Sequence, residues 1–253
     1  MPNAQPEPSA APIRSPRPRL PKTPGGWILF ILCAGISLLV LDVGRYLVWP
    51  RVGVLETENP GVTSFMEHRL DEAEAAGKPL KLDVRYKPLK SISKNLQLAV
   101  TISEDDKFWD HEGFDLDSME EAFKRNLKEG KIKAGGSTIT QQLAKNLWFG
   151  PEKSYLRKLK EAIMTWRLER ELSKQRILEL YLNVVEWGNG IFGAQAAAMR
   201  HFGVSAAGLS PSQAARLAAV LPNPRTWNPA GNGKVTLKRS RIILSRMQRR
   251  QGK

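Results

Sequence analysis

Three consecutive carboxylates, Glu104, Asp105 and Asp106, are the side chains of this sequence best suited to acid–base chemistry. They follow a short apolar segment and precede the bulky Phe108. Apolar surroundings remove hydration from a carboxylate, which raises its pKa and lets it accept a proton near neutral pH. The alternative is a solvated acidic turn that caps a helix. Without other evidence, these three residues favour the solvated turn over a catalytic site.

The helix predicted over residues 137–147 forms a second candidate site. Two glycines, a serine and a threonine open it, so backbone N–H groups and two hydroxyls are expected to form an anion site there. Ser137, Gln141 and Lys145 recur at a spacing of four, which places them on one face. Gln142 adds a donor three residues before Lys145. Because Ser137 and Lys145 are separated by roughly 12 Å along the axis, an extended diphosphate could contact both.

A third polar group, Arg157, Lys158 and Glu161, lies in a helix predicted over residues 152–172. Arg157 and Glu161 are four apart, so an ordinary surface ion pair explains them. Their spacing alone therefore assigns them no chemistry.

Four motifs, in order, give the sequence a family resemblance. They are E-D-x-x-F-x-x-H-x-G-x-D from Glu104, G-G-S-T-I-T-Q-Q from Gly135, R-K-x-x-E ending at Glu161 and E-L-Y-L-N from Glu179. Together they closely resemble the peptidoglycan glycosyltransferase family over residues 59–247. Because no further domain is expected, the sequence most resembles the monofunctional biosynthetic branch of that family.

This resemblance implies a lysozyme-like helical fold with two lobes around a cleft. We therefore expect a mainly α domain with a short β element, preceded by a single transmembrane helix. The implied enzyme polymerises lipid II into linear β-1,4-linked glycan strands of peptidoglycan. The implied transfer inverts the anomeric carbon and releases undecaprenyl diphosphate.

The resemblance also implies roles for individual residues. Glu104 is expected to be the general base, and Glu161 the second catalytic carboxylate and a ligand of a divalent cation, Mg²⁺ or Mn²⁺. Asp105 and Phe108 are expected at the substrate site as support for Glu104. The remaining expected substrate-binding residues are Ser137, Thr138, Gln141, Gln142, Lys145, Arg157 and Lys158. Ser103 stands where the family usually has alanine, so one hydrogen bond from it is expected to lower the pKa of Glu104.

Two other functions fit part of the pattern. A membrane-anchored lytic or hydrolytic enzyme would also place a carboxylate beside a glycan, but it needs no diphosphate-binding face. A non-enzymatic scaffold for anionic polymers would need only positive charge, and it leaves the ordered carboxylates without a purpose. The diphosphate-binding face and the anchor favour the transferase.

The N-terminal region differs in composition from the rest. Residues 1–26 are rich in Pro, Ala and Ser, which predicts a disordered cytoplasmic tail. Residues 27–49 are apolar over about the length needed to cross a bilayer, and residues 50–253 form the predicted glycosyltransferase domain. Basic residues before the apolar stretch predict a single-pass inner-membrane protein with a periplasmic domain. A cleaved signal peptide and a buried soluble helix are the alternatives.

The formal net charge of +14 predicts anionic partners. Nucleic acid is not expected, because aromatic residues are not interleaved with the basic ones. The expected partners are lipid II, the growing glycan strand, membrane lipids and proteins of cell-wall synthesis and division. The basic helix predicted over residues 236–250 is expected to be a solvated face. His111 is either a substrate contact or a core histidine, and the core is expected. Asp115 stands where a zinc motif needs its second histidine, so that motif fails.

The spacing of apolar residues and the positions of glycine, proline and capping residues predict the other helices and strands. Alternation over residues 80–86 predicts a strand. Helices are predicted over 60–76, 93–102, 117–129, 173–185 and 194–201, and from Ser210 onward. Asp117 is predicted to cap the 117–129 helix, and Gly130 to end it. Residues 131–136 are predicted to be a mobile loop and the glycines of 188–193 a tight turn.

Overall fold

Ten α-helices make up most of the chain that the computed structural model describes, which is residues 22–130, 136–152 and 154–252. They are α1 (Pro24–Gly44), α2 (Ser64–Ala75), α3 (Lys94–Glu104), α4 (Leu116–Glu129), α5 (Ile139–Trp148), α6 (Tyr155–Glu171), α7 (Lys174–Val184), α8 (Ala194–Phe202), α9 (Pro211–Val220) and α10 (Lys234–Gln251). Short 3-10 helices lie at Arg45–Leu47, Gly53–Glu56, Leu89–Ser91 and Ala206–Gly208. The prediction of a mainly helical protein is confirmed.

Helix α1 is apolar apart from Asp42 near its C-terminal end, and it buries none of its residues. The apolar segment Pro24–Leu47 has 24 residues and a mean hydropathy of 2.3, so it is long and apolar enough to span a membrane. Most of α1 belongs to an N-terminal unit that ends at Asp42, and Val43–Lys253 forms a second compact unit. One apolar N-terminal helix fits a single-pass anchor. The predicted tail lies mostly outside the described residues, as does most of the predicted loop over 131–136.

A small three-stranded sheet contains β1 (Asp83–Val84), β2 (Glu186–Gly188) and β3 (Ile191–Phe192) in the order β1-β3-β2. β1 runs parallel to β3, and β2 runs antiparallel to it. The strand predicted over 80–86 is therefore shorter than expected, because β3 offers only two residues for pairing. The predicted glycine turn connects β2 to β3.

The helices of the second unit pack in two groups. α3, α9 and α10 contact one another, whereas α5 packs against α2, α6 and α7. One apolar core runs through both groups, and its largest fully buried side chains include Leu96, Phe108, Ile139, Leu143, Met164, Ile177, Tyr181, Trp187 and Phe192. Burial of such surface stabilises the fold by about 25 cal/mol per Å², so residues mounted on these helices are held firmly.

Most of these helices begin at a side-chain cap. Thr138 and Ser210 each form a capping box with a glutamine three residues later, as predicted for Ser210. The predicted cap of α4 was wrong: Asp115 caps it, and its Oδ1 accepts a hydrogen bond of 3.0 Å from Ser118 N. Asp117 lies inside the first turn, where its charge still favours the helix dipole. Gly130 ends α4 with φ 61°, as predicted.

Gly193 is expected to be irreplaceable in the fold. Its backbone (φ 85°, ψ 150°) lies in a region essentially restricted to glycine, and a Cβ would lie 2.8 Å from Asn183 O. Gly193→Ala should therefore lower the free energy of unfolding by about 3 kcal/mol or more. Gly203→Ala is the control, since φ is 67° but no atom lies within 4 Å, and it should cost about 1–2 kcal/mol. Equal losses in urea unfolding of the protein in detergent would contradict the close approach.

Candidate active site

Glu104 is the last residue of α3, and its carboxylate faces a cavity. Oε2 accepts a hydrogen bond of 3.1 Å from Gln142 Nε2, and Oε1 accepts one of 3.2 Å from Ser103 Oγ. The Ser103 hydroxyl has a longer contact, 3.5 Å, with Ala218 O. Both carboxylate oxygens are therefore held by neutral donors from two different helices.

Burial raises the pKa of Glu104, although part of the residue reaches the cavity. The hydrogen bonds from Gln142 and Ser103 and the charges of Arg239 and Lys145 oppose that rise without cancelling it. The C-terminal end of α3 also disfavours negative charge. A carboxylate with a raised pKa and fixed orientation is suited to accept a proton.

Asp105 joins the end of α3 to the start of α5. Its Oδ2 accepts a hydrogen bond of 2.9 Å from Ile139 N, the first backbone N–H of α5. His111 Nε2 lies 2.9 Å and 3.0 Å from the two carboxylate oxygens. Gly113 N donates to His111 Nδ1 at 3.0 Å, so the ring proton belongs on Nε2 and points to Asp105. His111 is thus a nearly buried structural residue, as predicted.

Phe108 packs in the core next to the segment that contains Asp105 and His111. It is fully buried, its ring centroid lies 5.0 Å from that of Trp109, and the ammonium of Lys174 lies 4.6 Å from its centroid. Asp105 and Phe108 therefore take positions that suit support of Glu104. Contact of Phe108 with substrate stays a prediction.

The start of α5 differs from the expected anion site. Thr138 is the N-cap, and its Oγ1 donates to Gly113 O at 2.7 Å and accepts from Gln141 N at 3.2 Å. Gln141 Oε1 in turn accepts from Thr138 N at 3.0 Å. Both side chains are buried in the cap, so the expected common face of Ser137, Gln141 and Lys145 was wrong. Ser137 precedes the helix and lies exposed at the cavity.

Gln142 and Lys145, one turn apart, form the cavity face of α5. Burial lowers the pKa of Lys145, and Arg157 and Lys158 lower it further, while Glu161 and Glu104 raise it. A partly desolvated ammonium interacts strongly with a nearby anion.

Arg157, Lys158 and Glu161 form one cluster on α6. Arg157 Nη1 lies 2.7 Å from Glu161 Oε2, and Lys158 Nζ lies 2.5 Å from Oε1. Glu161 is buried, so this is not the surface ion pair that its spacing suggested. Both carboxylate oxygens of Glu161 already pair with side-chain cations, so Glu161 by itself is poorly suited to bind a metal ion. No group of three or more His, Cys, Asp or Glu in the described part of the chain could hold a metal ion.

Two cavities of opposite charge meet at Glu104. The larger, about 710 Å³, is walled by Gln142, Lys145, Arg157, Lys158, Glu161 and Arg239. The smaller, about 360 Å³, is walled by Asp105, Asp106, Asp115, Glu121, Arg125, Arg246 and the buried Thr138. Ser103, Glu104, Gly136 and Ser137 line both. An acceptor hydroxyl and a diphosphate could thus approach the same carboxylate from two sides.

Sequence similarity identifies the class of this site. The family model described as transglycosylase matches residues 74–248. The chain belongs to the transglycosylase family. It is 48% identical over 220 residues to the biosynthetic peptidoglycan transglycosylase of Janthinobacterium sp. (strain Marseille), covering 87% of this chain and 95% of the relative. Similar relatives with the same description occur in Aromatoleum aromaticum (47% over 222 residues; 88% and 94% covered) and Azoarcus sp. (strain BH72) (46% over 223 residues; 87% and 95% covered).

The match to the transglycosylase family model confirms the resemblance that the motifs indicated. It also confirms the expected lysozyme-like helical fold and the expected class of enzyme. The structure adds residues that the sequence did not single out for this site, and Arg239 and Tyr181 are two of them. Arg239 was expected on a solvated face, but it lines the larger cavity, and its Nε donates to Ala219 O at 3.1 Å. Tyr181 is fully buried, and its hydroxyl donates a hydrogen bond to Gln142 Oε1.

Ser103→Ala should shift the pH dependence of this enzyme. Removing the donor raises the pKa of Glu104, so a smaller fraction is deprotonated at a given pH and the acidic limb moves to higher pH. We expect a shift of about half a unit to one unit in kcat/KM, with little change on the alkaline side. Ser240→Ala, which removes a buried hydroxyl bonded to Leu237 O, is the control. An unmoved acidic limb would contradict the expected effect of Ser103 on the pKa of Glu104.

Proposed function

We propose that this transglycosylase polymerises lipid II into linear β-1,4-linked glycan strands of peptidoglycan. The observation that carries the proposal is the position of Glu104, a carboxylate with a raised pKa at the junction of a basic and an acidic cavity. Acid–base catalysis and diphosphate binding are thereby available within one site.

The proposed reaction forms one bond and breaks one. The 4-hydroxyl oxygen of the acceptor sugar attacks the anomeric carbon of the growing strand while Glu104 takes the hydroxyl proton. The bond from that carbon to the lipid diphosphate breaks, and its electron pair leaves with the diphosphate. Attack opposite an α-linked leaving group yields a β linkage, so the configuration inverts.

The larger cavity suits the departing diphosphate. Lys145, Arg157, Lys158 and Arg239 bring four positive charges to its wall. Glu161 is held between Arg157 and Lys158, so its own charge is compensated and repels the diphosphate less. These cations would stabilise the negative charge that grows on the leaving group.

The predicted roles of Thr138 and Gln141 become indirect in this proposal. Because their side chains form the cap of α5, they orient the helix that carries Gln142 and Lys145. Ser137, which is exposed at both cavities, keeps its predicted contact with substrate.

Helix α4 offers a surface for the lipid part of the substrate. Leu116, Phe123 and Leu127 lie on one face of it and are 72%, 62% and 68% exposed. Apolar side chains in such a row are costly in water and favourable at a lipid surface. Together with α1, this face supports a single-pass membrane protein. The basic residues before α1 are the reason to place its catalytic domain in the periplasm, at the inner membrane.

Glu104→Gln is expected to abolish strand synthesis. Loss of the base should lower kcat by at least about 100-fold while donor binding and the melting temperature stay nearly unchanged. The test measures polymerisation of lipid II by the full-length protein in detergent. Glu171→Gln is the matched control, since this carboxylate pairs with Arg167 and lines neither cavity.

Near-normal turnover of the Glu104→Gln variant would remove the base assignment. Incubation of the unaltered enzyme with preformed glycan forms a second arm. Release of fragments there would favour the lytic alternative.

The divalent cation stays a prediction, and Glu161→Gln tests it. If Glu161 is a ligand, the apparent affinity for Mg²⁺ in the polymerisation assay should weaken about tenfold or more, with a smaller loss of kcat than for Glu104→Gln. Glu171→Gln removes a carboxylate from a similar pair with Arg167 on α6 and serves as control. If neither metal concentration nor the Glu161→Gln exchange affects turnover, Glu161 has only a salt-bridge role.

A further inference from the structure

Tyr181 on α7 is fully buried and reaches the catalytic carboxylate through one intermediate side chain. Its hydroxyl lies 2.9 Å from Gln142 Oε1, and Gln142 Nε2 lies 3.1 Å from Glu104 Oε2. We infer that Tyr181 is a positioning residue, which holds the carboxamide of Gln142 so that its NH₂ group faces Glu104. This inference rests on the proposed role of Glu104 as the base.

The chemistry of the three groups fixes the direction of this chain of hydrogen bonds. A carboxylate only accepts, and a carboxamide has one accepting oxygen and one donating nitrogen. The Tyr181 hydroxyl must therefore donate to Gln142 Oε1 while Nε2 donates to Glu104. A carboxamide rotated by 180° would turn its oxygen toward the carboxylate, which removes a donor and adds repulsion.

Burial keeps Tyr181 in the donating form. It raises the pKa of the phenol well above its usual value, and the nearby charges of Glu104 and Asp105 raise it further. Tyr181 is therefore a hydroxyl donor throughout the pH range in which Glu104 titrates. Tyr181 is not among the described residues that line the two cavities. It therefore influences Glu104 through Gln142 and does not contact the substrate.

Other groups around Glu104 would also influence its titration. The charged groups that line the two cavities with it are Asp105, Asp106, Asp115, Glu121, Arg125, Lys145, Arg157, Lys158, Glu161, Arg239 and Arg246. The buried Tyr181 is a further titratable group near it. None of their charges changes when the Tyr181 hydroxyl is removed. A change in the pH profile of that variant therefore reports the Gln142 hydrogen bond.

Tyr181→Phe is the direct test, because phenylalanine keeps the ring in the core and removes only the hydroxyl. Without the anchor, Gln142 is expected to populate both orientations, so the average donation to Glu104 weakens and the pKa of the base rises. We expect the acidic limb of kcat/KM for lipid II polymerisation to move up by about half a unit, kcat to fall on the order of tenfold and KM to stay within about twofold. Circular dichroism of the full-length protein in detergent checks the fold.

Two further variants separate positioning from a loss of stability. Tyr86→Phe removes a hydroxyl that bonds Glu179 at 3.0 Å, away from the base, and it should leave the pH profile unchanged. Replacing Tyr181 by 3-fluorotyrosine keeps both ring and hydroxyl, and it should retain the unaltered profile.

A double-mutant cycle tests the route of the effect. If Tyr181 acts through the carboxamide, Tyr181→Phe should cause no additional shift in a Gln142→Ala background. Additive shifts would overturn the inference, as would an unaltered pH profile in Tyr181→Phe alone. Either result, combined with an inactive Glu104→Gln variant, leaves the proposed function intact. An active Glu104→Gln variant would instead remove the proposed function itself.

Discussion

The hydrogen bond from Ile139 N to the Asp105 carboxylate is the contact on which this site depends. The helices around α3 and those around α5 form separate packing groups, and Asp105 ties one group to the first N–H of the other. Glu104 precedes Asp105 in the chain, so the same contact helps to set where the carboxylate of Glu104 points. His111 holds the carboxylate from the other side, and the Gly113 backbone sets the tautomer of His111.

The electrostatics of the site follow from where the charges are placed. Burial raises the pKa of Glu104, and the hydrogen bonds from Gln142 and Ser103 together with the charges of Arg239 and Lys145 make that rise smaller. Lys145 experiences the opposite effect, since burial and the neighbouring cations lower its pKa. A carboxylate that binds a proton more readily thus lines the same cavity as a cation that releases one more readily. The raised pKa of Glu104 favours acceptance of a proton, and the protonated Lys145 attracts an anion strongly because it is partly desolvated.

Much of the fold could be predicted from the sequence, because helix caps and breaking residues have local causes. Ser210 and Gly130 mark helix ends as expected, and the Glu104 motif marked a carboxylate that lines both cavities. The start of α5 was misjudged because Thr138 forms the cap, which changed which side chains face the cavity. Tyr181 and Arg239 could not be found this way. A tyrosine in an apolar helix resembles core, and an arginine in a basic helix resembles solvated surface.

The hydrogen bond from Thr138 Oγ1 to Gly113 O has a consequence for how the polypeptide can vary. These two residues are 25 positions apart, and their contact closes the base of the excursion that contains α4. A change of length in the excursion leaves this contact in place but can displace Asp115, Glu121 and Arg125 from the wall of the smaller cavity. One extra residue between Asp105 and Gly113 would instead separate several bonded pairs at once. Spectroscopic labels therefore belong at positions of α4 outside that wall and not between Asp105 and Gly113.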